Sequence, residues 1–179
     1  MSKPAALTTV GLTSRCQGAF SMVDNTGAPN LFAGDAAKLY KLSGSSMNAV
    51  GSGYLTQSEG IWVFDCYGNH VYATNGYDPI QVFTANVSTA FSVLSANAPV
   101  AKTIAVFKNF LIAGNCVDAT YGAVPSRVWW SAVGNPASWP TIGSPTAAQF
   151  LSDRQELQGD YGGVQAIAAG VGGGAAIIM

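Results

Sequence analysis

The sequence LFAG at residues 31–34 returns as VYAT at residues 71–74 and again as LIAG at residues 111–114. The spacing between successive copies is 40 residues in both cases. A repeat of roughly 40 to 45 residues that is built from short strands is typical of the four-stranded blade of a β-propeller. We therefore predict an all-β chain of β-propeller-like repeats.

Turn residues on either side of each copy divide the chain into similar units. The second copy lies between Gly68-Asn69 and Asn75-Gly76, and Asn-Gly is a strong hairpin signal. One unit of short antiparallel strands cannot bury both of its faces, so neighbouring units must stack. We predict an N-terminal arm (1–17) followed by propeller-like blades over 18–179, with approximate bounds 18–56, 57–97, 98–145 and an incomplete 160–179.

Short apolar or alternating segments predict the strands of these units. The predicted strands are 18–23, 30–34, 38–42, 61–66, 70–74, 80–83, 103–107, 110–114 and 127–131. We interpret 115–125 as an insertion that delays the next strand, and 149–158 as the one stretch that could form a helical turn or two. The repeat predicts these blade-core positions: Leu31, Ala33, Val71, Ala73, Leu111 and Ala113.

The composition is unusually poor in charge. Charged residues make up 9 % of the chain, against roughly 25 % in ordinary soluble domains. Much of the surface must therefore be neutral, which is typical of proteins covered by partner subunits, although a soluble β protein rich in small residues would show it too. The eight basic residues form no run and the net charge is −1. This excludes tight autonomous binding to nucleic acid, whereas a neutral wall past which DNA slides is compatible with it.

The chain has few residues that could hold a metal. Cys16, Cys66 and Cys116 form no CxxC pair, and His70 is the one histidine. This is too little for a structural zinc site, and an odd number of cysteines argues against a disulfide framework. We expect three reduced cysteines packed as small hydrophobic side chains, with neither a metal nor a cofactor.

Neither a signal peptide nor a membrane anchor is predicted. The N-terminus lacks the continuous apolar core of a signal peptide, and no stretch of about 20 apolar residues is present. Residues 164–179 are apolar but contain several glycines, which predicts two buried strands joined by a glycine turn. Because the chain stops inside the second of these strands, we expect it to be a portion of a longer protein.

The motifs for catalysis are absent from the sequence. The segment GVGGG at 170–174 lacks the GK[ST] ending of a phosphate loop, and no serine stands in a GxSxG elbow. Five of the seven aspartates stand at predicted turns or strand ends, where carboxylates cap backbone donors; they are Asp24, Asp35, Asp65, Asp78 and Asp118. We therefore predict that the protein is not an enzyme.

One aromatic cluster stands out, RVWWSAVGNPASW at residues 127–139. It holds three of the four tryptophans, and such side chains carry a large apolar surface. In one interpretation Trp130 and Trp139 pack across a blade or between blades. In the other, the cluster is an aromatic platform for a sugar or a peptide.

The same cluster resembles the segment R-V-x-W-S-x-x-x-[DN]-P-x-x-W of tail proteins from short-tailed bacteriophages (podoviruses). LFAGDAAKLYKL (31–42), VYATNGYDPIQVF (71–83) and AKTIAVFKNFLIAGN (101–115) precede it. In this order the segments resemble the packaged-DNA stabilisation and tail nozzle family over most of 18–179. The residues that carry the motif are Arg127, Trp129, Trp130, Ser131, Pro136 and Trp139. The resemblance brings no catalytic residue.

The resemblance implies a β-propeller-bearing structural protein of the virion tail. Its subunits would form a ring, usually six-fold, beneath the portal and adaptor, and the ring would conduct and retain packaged DNA. The alternative is a carbohydrate-binding β-propeller, such as a tail-fibre or lectin-like module, which predicts exposed aromatic side chains, with Trp129, Trp139, Tyr72 or Tyr121 around a pocket. A glycosidase is a third possibility, and it needs two carboxylates roughly 5–10 Å apart in a cleft.

Overall fold

The chain folds almost entirely into antiparallel β-structure, which confirms the predicted all-β class. The computed structural model describes residues 11–57, 60–157, 162–171 and 174–178. Within these ranges the strands form three four-stranded sheets and one two-stranded hairpin. The one helix of the described residues, α1 (Pro145–Gln149), is five residues long and is capped by the Ser144 hydroxyl, which accepts a hydrogen bond from the Ala147 N–H.

Each sheet is a meander whose strands lie in chain order. Sheet 1 contains β1 (Gly18–Val23), β2 (Pro29–Gly34), β3 (Lys38–Ser43) and β4 (Ser46–Ser52). Sheet 2 contains β5 (Val63–Tyr67), β6 (His70–Thr74), β7 (Gln81–Thr84) and β8 (Ser92–Val93). Sheet 3 contains β9 (Val100–Phe107), β10 (Phe110–Asp118), β11 (Gly122–Trp130) and β12 (Asp153–Glu156). The hairpin that follows contains β13 (Ala166–Val171) and β14 (Gly174–Ile178).

The repeated motif occupies the second strand of every sheet, at the ends of β2 and β6 and within β10. The residue after the motif organises the following turn in the first two sheets. The Asp35 carboxylate accepts hydrogen bonds from the backbone N–H groups of Ala37 and Lys38, and the Asn75 side chain accepts them from Tyr77 and Asp78. A 40-residue period therefore places the same strand and the same turn chemistry in successive sheets.

The sheets stack face to face and bury one apolar cluster at each interface. Phe32 and Leu39 of sheet 1 pack with Val71, Ala73 and Phe83 of sheet 2. The opposite face of sheet 2 and the facing side of sheet 3 form a second cluster that includes Tyr72, Ile80, Ile104, Leu111, Ala113, Trp129 and Trp139. Ala105 and Val128 of sheet 3 pack in a third cluster with Ile167 of the hairpin and with Val164, which precedes it. The core of the molecule is thus a series of layers between sheets.

The first strands of successive units lie next to one another. β5 contacts both β1 and β9, and β13 contacts β9. The second, third and fourth strands of each sheet follow in order away from this line of first strands. The three described sheets remain open, since none of them closes on itself.

Two glycines of the motif provide the space into which the next unit packs. A Cβ atom on Gly34 would lie 2.3 Å from Cδ1 of the Trp62 ring, and one on Gly114 would lie 2.8 Å from Cγ1 of Val164. In the second copy of the motif the fourth residue is Thr74, and its hydroxyl donates a hydrogen bond to the Ala101 carbonyl of the next sheet. The fourth position of the motif is therefore where each unit meets its successor.

Five of the six predicted core positions are buried, namely Ala33, Val71, Ala73, Leu111 and Ala113. The prediction for Leu31 is wrong, because its side chain is only half-buried. Leu31 lies on the face of sheet 1 that no other sheet of the described residues covers, where Leu12 packs beside Ala33, Tyr40 and Met47. The equivalent faces of sheets 2 and 3 each meet a preceding sheet.

The third unit differs most from its prediction. Residues 115–125 are not an insertion between strands, because β10 continues to Asp118 and β11 begins at Gly122. The predicted helical stretch 149–158 is also wrong, since α1 ends at Gln149 and β12 follows. β12 pairs with β11, so sheet 3 extends beyond the predicted bound at residue 145. Ten residues of the predicted arm (1–10) and part of the last unit (160, 161, 172, 173 and 179) lie outside the described residues.

Candidate functional site

Strand β11 and the loop after it carry the motif residues. Because side chains alternate along a strand, Arg127 and Trp129 lie on one face of sheet 3, whereas Trp130 lies on the other. Trp129 meets Trp139 edge to face, with 6.1 Å between the ring centroids, and both are buried between sheets 2 and 3. Trp130 packs against the cluster beside the hairpin, and its indole N–H donates to the Leu151 carbonyl.

Ser131 and Pro136 hold the loop that follows β11. The buried Ser131 hydroxyl accepts a hydrogen bond from the Leu111 N–H, while the Ser131 N–H donates to the Leu111 carbonyl. The Pro136 carbonyl accepts a hydrogen bond from the Trp139 indole N–H at 2.8 Å. These contacts fix the loop beside the repeat strand β10.

Arg127 is the largest fully buried side chain of the described residues, with 1 % of its surface exposed. Its guanidinium donates to Asp118 at the end of β10 and to Glu156 on β12, and it also lies 4.9 Å from the Tyr121 ring centroid. An unpaired buried guanidinium would be strongly unfavourable, so the two carboxylates make its burial possible. The cluster joins the extended β10–β11 hairpin to β12.

A second guanidinium lies beside this cluster. Arg154 of β12 is paired in register with Trp129, and its guanidinium carbon lies 4.3 Å from the Tyr121 ring centroid and 5.5 Å from that of Trp129. These distances are those of cation–π contacts. Tyr121 is 56 % exposed, so this stack of aromatic and cationic groups reaches the surface.

The stack forms one wall of a cleft of about 660 Å³, which we call the Tyr121 cleft. The other walls are the loop 95–98, the hairpin end 117–121 and the loop 139–142. Such a volume lies within the range of about 300–1,000 Å³ that is typical of small-molecule sites. Two polar atoms of the surroundings, Trp129 Nε1 and Arg127 Nε, are buried and have no hydrogen-bond partner among the described residues.

A second cavity of about 420 Å³ lies where sheets 2 and 3 meet. Ile61, Tyr77 and Val117 supply its apolar walls, and Lys102 and Asn115 are among its polar residues. Two large apolar side chains of its lining are exposed to solvent, Ile61 (56 %) and Tyr77 (49 %). The exposed Leu55 (72 %) lies nearby, because its N–H donates to the carboxylate of Asp78, the residue after Tyr77. We call these three residues the Ile61 rim.

The acidic residues mainly organise turns. Burial opposes ionisation of Asp35, but hydrogen bonds from Ala37, Tyr40, Thr13 and Lys38 outweigh it and lower its pKa to about 2. Hydrogen bonding, above all from the Thr26 hydroxyl, likewise holds the pKa of Asp24 well below its ordinary value. Both carboxylates are therefore ionised acceptors that tie loops to strands.

The remaining candidates for chemistry are dispersed. His70 is exposed, and its Nδ1 lies 2.9 Å from the Thr84 hydroxyl. Cys116 is buried, which raises the pKa of its thiol to about 12, and Cys66 is partly buried; both fit the predicted role as apolar side chains. The prediction was wrong for Cys16, which is exposed. Within the described ranges, no group of three or more His, Cys, Asp or Glu side chains could hold a metal ion.

Sequence reasoning missed two residues of the Tyr121 cleft and its charged cluster. Arg154 and Glu156 fall in the stretch expected to be helical, and nothing in the local pattern indicates that they pair with β11. Of the four aromatic residues that the lectin alternative expects to be exposed around a pocket, Trp129, Trp139 and Tyr121 line this cleft. Tyr72 does not, because it is buried in the cluster between sheets 2 and 3. Tyr121 is exposed as predicted, whereas Trp129 and Trp139 are buried, so the prediction is wrong for both tryptophans.

Comparison with known proteins supports the fold. No family model and no curated protein matches the chain. Among solved structures, the chain is similar to the crystal structure of the computationally designed Ika4 protein, with a TM-score of 0.54 and 14 % sequence identity. The similarity covers 94 % of this chain and 87 % of the designed one, so the two share an overall fold. None of the helices among the described residues has the length and apolar character needed to cross a membrane.

Proposed function

We propose that this protein is a structural subunit of a short-tailed bacteriophage tail, of the packaged-DNA stabilisation or nozzle kind. Its sheets would be the blades of a β-propeller, and its subunits would form a ring, usually six-fold, beneath the portal and adaptor. The ring would conduct DNA and help to retain it in the virion. The observation that carries the proposal is the repeated docking of one sheet on the next through the fourth motif position.

The arrangement of the strands supports the propeller part of the proposal. In a propeller, four-stranded sheets surround a central channel. Here β1, β5, β9 and β13 lie side by side, and the other strands of each sheet follow outward. Layered apolar clusters between successive sheets are what such a stack of blades requires.

The Ile61 rim supports the assembly part of the proposal. Its three side chains are large, apolar and exposed, and two of them, Ile61 and Tyr77, line a cavity that a neighbouring subunit could fill. Large exposed apolar groups around a cavity often mark interaction sites. Interfaces of permanent oligomers are also larger and more apolar than those of transient complexes. We assign the contact between neighbouring subunits to this rim.

The low charge of the chain supports the proposed contact with DNA. With a net charge of −1, the protein would not hold phosphates strongly, because salt-dependent binding to DNA needs many cationic contacts. A channel wall must let DNA pass during ejection, so weak binding suits that task better than tight binding.

Native mass measurement and electron microscopy of the purified full-length protein test this proposal. We expect a closed ring with a central hole wide enough for a DNA duplex. Replacing Ile61 with aspartate should break the ring, since a carboxylate would be buried at the contact. Val87→Asp is the matched control, because Val87 is even more exposed and lies between β7 and β8. A stable monomer at all protein concentrations would contradict the proposal.

A further inference from the structure

The Tyr121 cleft contains a hydrogen-bonding group that the fold does not use. The half-buried Arg154 guanidinium stacks on two rings, but it makes no ion pair with any described residue. Its N–H groups can therefore donate to a ligand that supplies acceptor atoms. The Trp129 indole nitrogen also has no acceptor among the described residues, but the atom is itself buried and lies out of reach of a ligand.

The charges around the cleft balance one another. Arg127 and Arg154 contribute two positive charges, and Asp118 and Glu156 contribute two negative ones. Both Asp118 oxygens already accept hydrogen bonds, from Arg127 and from the N–H groups of Thr120 and Tyr121. A strongly charged ligand would therefore gain little here, and a neutral ligand rich in oxygen fits better.

The remaining walls combine apolar and small polar side chains. Trp139, Pro140 and Ile142 form an apolar side, and Ser95 and Asn97 contribute polar groups from the facing loop. Neither tryptophan offers an open ring face, because both are packed in the core. A ligand must then contact the Arg154 guanidinium, the edge of the Trp139 ring and the polar groups of Ser95 and Asn97.

We propose that the Tyr121 cleft binds a neutral saccharide, with the Arg154 guanidinium donating hydrogen bonds to its hydroxyl oxygens. The apolar wall of Trp139, Pro140 and Ile142 covers the C–H groups of the sugar ring. This inference goes beyond the proposed structural role and does not depend on it, since the cleft lies within one subunit.

The test measures binding of named neutral saccharides to the full chain by ligand-observed NMR and by tryptophan fluorescence. The probes are maltotriose, cellotriose, lactose and triacetylchitotriose, with N-acetylneuraminic acid and a mixed decapeptide pool as comparisons. We expect one or more neutral saccharides to bind, and Arg154→Gln to weaken that binding by about tenfold or more, because a charged donor is lost. Lys108→Gln should leave it unchanged. Lys108 is also a cation above an aromatic ring, 5.2 Å from the centroid of Phe107, but it lies at the opposite end of sheet 3.

A second variant keeps the test informative if Arg154→Gln does not fold. Ala96 is exposed and lines the cleft from a loop, so Ala96→Trp should block the cleft and abolish binding without disturbing the core. Circular dichroism checks that each variant is folded. The proposal is overturned if no neutral saccharide binds at millimolar concentration, if both variants bind as the original chain does, or if the acidic sugar or the peptides bind more tightly. Ring formation, observed separately by microscopy, is expected to survive both substitutions.

Discussion

The contact between Gly34 and Trp62 predicts a non-additive pair of substitutions. In the native chain, a methyl group on Gly34 would lie 2.3–2.7 Å from three atoms of the Trp62 ring. The ring cannot easily move away, because it is 4 % exposed, donates to the Asp35 carbonyl at 2.9 Å and meets Tyr54 edge to face. Gly34→Ala should therefore destabilise the native protein even though alanine is the better strand residue.

The magnitudes follow from the packing. Overpacking a core costs about 1–3 kcal/mol, while replacing a strand glycine with alanine returns about 0.5–1 kcal/mol. Gly34→Ala should therefore lower the free energy of unfolding by up to about 2.5 kcal/mol. Trp62→Ala removes a buried aromatic ring and should cost about 3–5 kcal/mol. In the Trp62→Ala background the obstruction is gone, and Gly34→Ala should then stabilise the protein by about 0.5–1 kcal/mol.

Urea denaturation followed by far-ultraviolet circular dichroism measures all four proteins of this cycle. The expected interaction energy is about 1–3 kcal/mol, with a change of sign in the effect of Gly34→Ala. Gly11→Ala is the matched control, because a Cβ atom there meets nothing within 4 Å. Strict additivity of Gly34→Ala and Trp62→Ala would refute the reasoning that the motif glycine exists to admit the next sheet.

Three further outcomes follow from other contacts. Asp118→Asn should destabilise the protein by up to about 3 kcal/mol, because the buried Arg127 guanidinium then keeps only Glu156 as an ionic partner. Glu156→Gln should cost about 0–1 kcal/mol, because that carboxylate is half exposed. Equal effects of the two substitutions in urea denaturation would contradict this. Because the pKa of Asp35 is lowered to about 2 from about 3.9 in an unfolded chain, its ionised form adds stability above about pH 4 that is lost as the pH falls towards 2. Asp35→Asn should thus flatten the acid limb of the stability–pH curve, and an unchanged limb would exclude the role. Gly114→Val should speed hydrogen exchange of the backbone amides in 166–171, since its Cβ would lie 2.8 Å from Val164 and 2.9 Å from Ile167. Unchanged exchange would count against that contact.

The sequence predicts the repeated part of the fold well. The strands Gly18–Val23 and His70–Thr74 have the predicted bounds, since alternation and turn residues are local signals that the fold retains. The strand Asp153–Glu156 was missed because it is a polar edge strand, and such strands avoid the apolar pattern that identifies a buried one. Its pairing with β11 is a long-range contact across residues 131–152, which no local pattern encodes.

The candidate site was predictable only in part, because it too depends on long-range contacts. The tryptophans attract attention in the sequence, but their burial depends on the stacking of sheet 2 on sheet 3. Arg154 becomes a cleft residue only through register with Trp129. Leu31 shows the converse error, since a core position inferred from repetition requires a preceding sheet that the described chain does not provide.

The repeat and the cleft have separate roles, in stability and in the proposed ligand binding. Gly34, at the fourth motif position, admits the next sheet, and Asp35, the residue after the motif, organises the turn, so substitutions at these two residues act on stability. The Tyr121 cleft arises where the repeat is broken, in the lengthened β10–β11 hairpin and the excursion between β11 and β12. Scaffolds commonly carry their specific sites on such departures from the regular framework. If the cleft and the repeat are independent in this sense, Ala96→Trp should remove ligand binding at unchanged stability, and Gly34→Ala should lower stability at unchanged affinity of the folded protein.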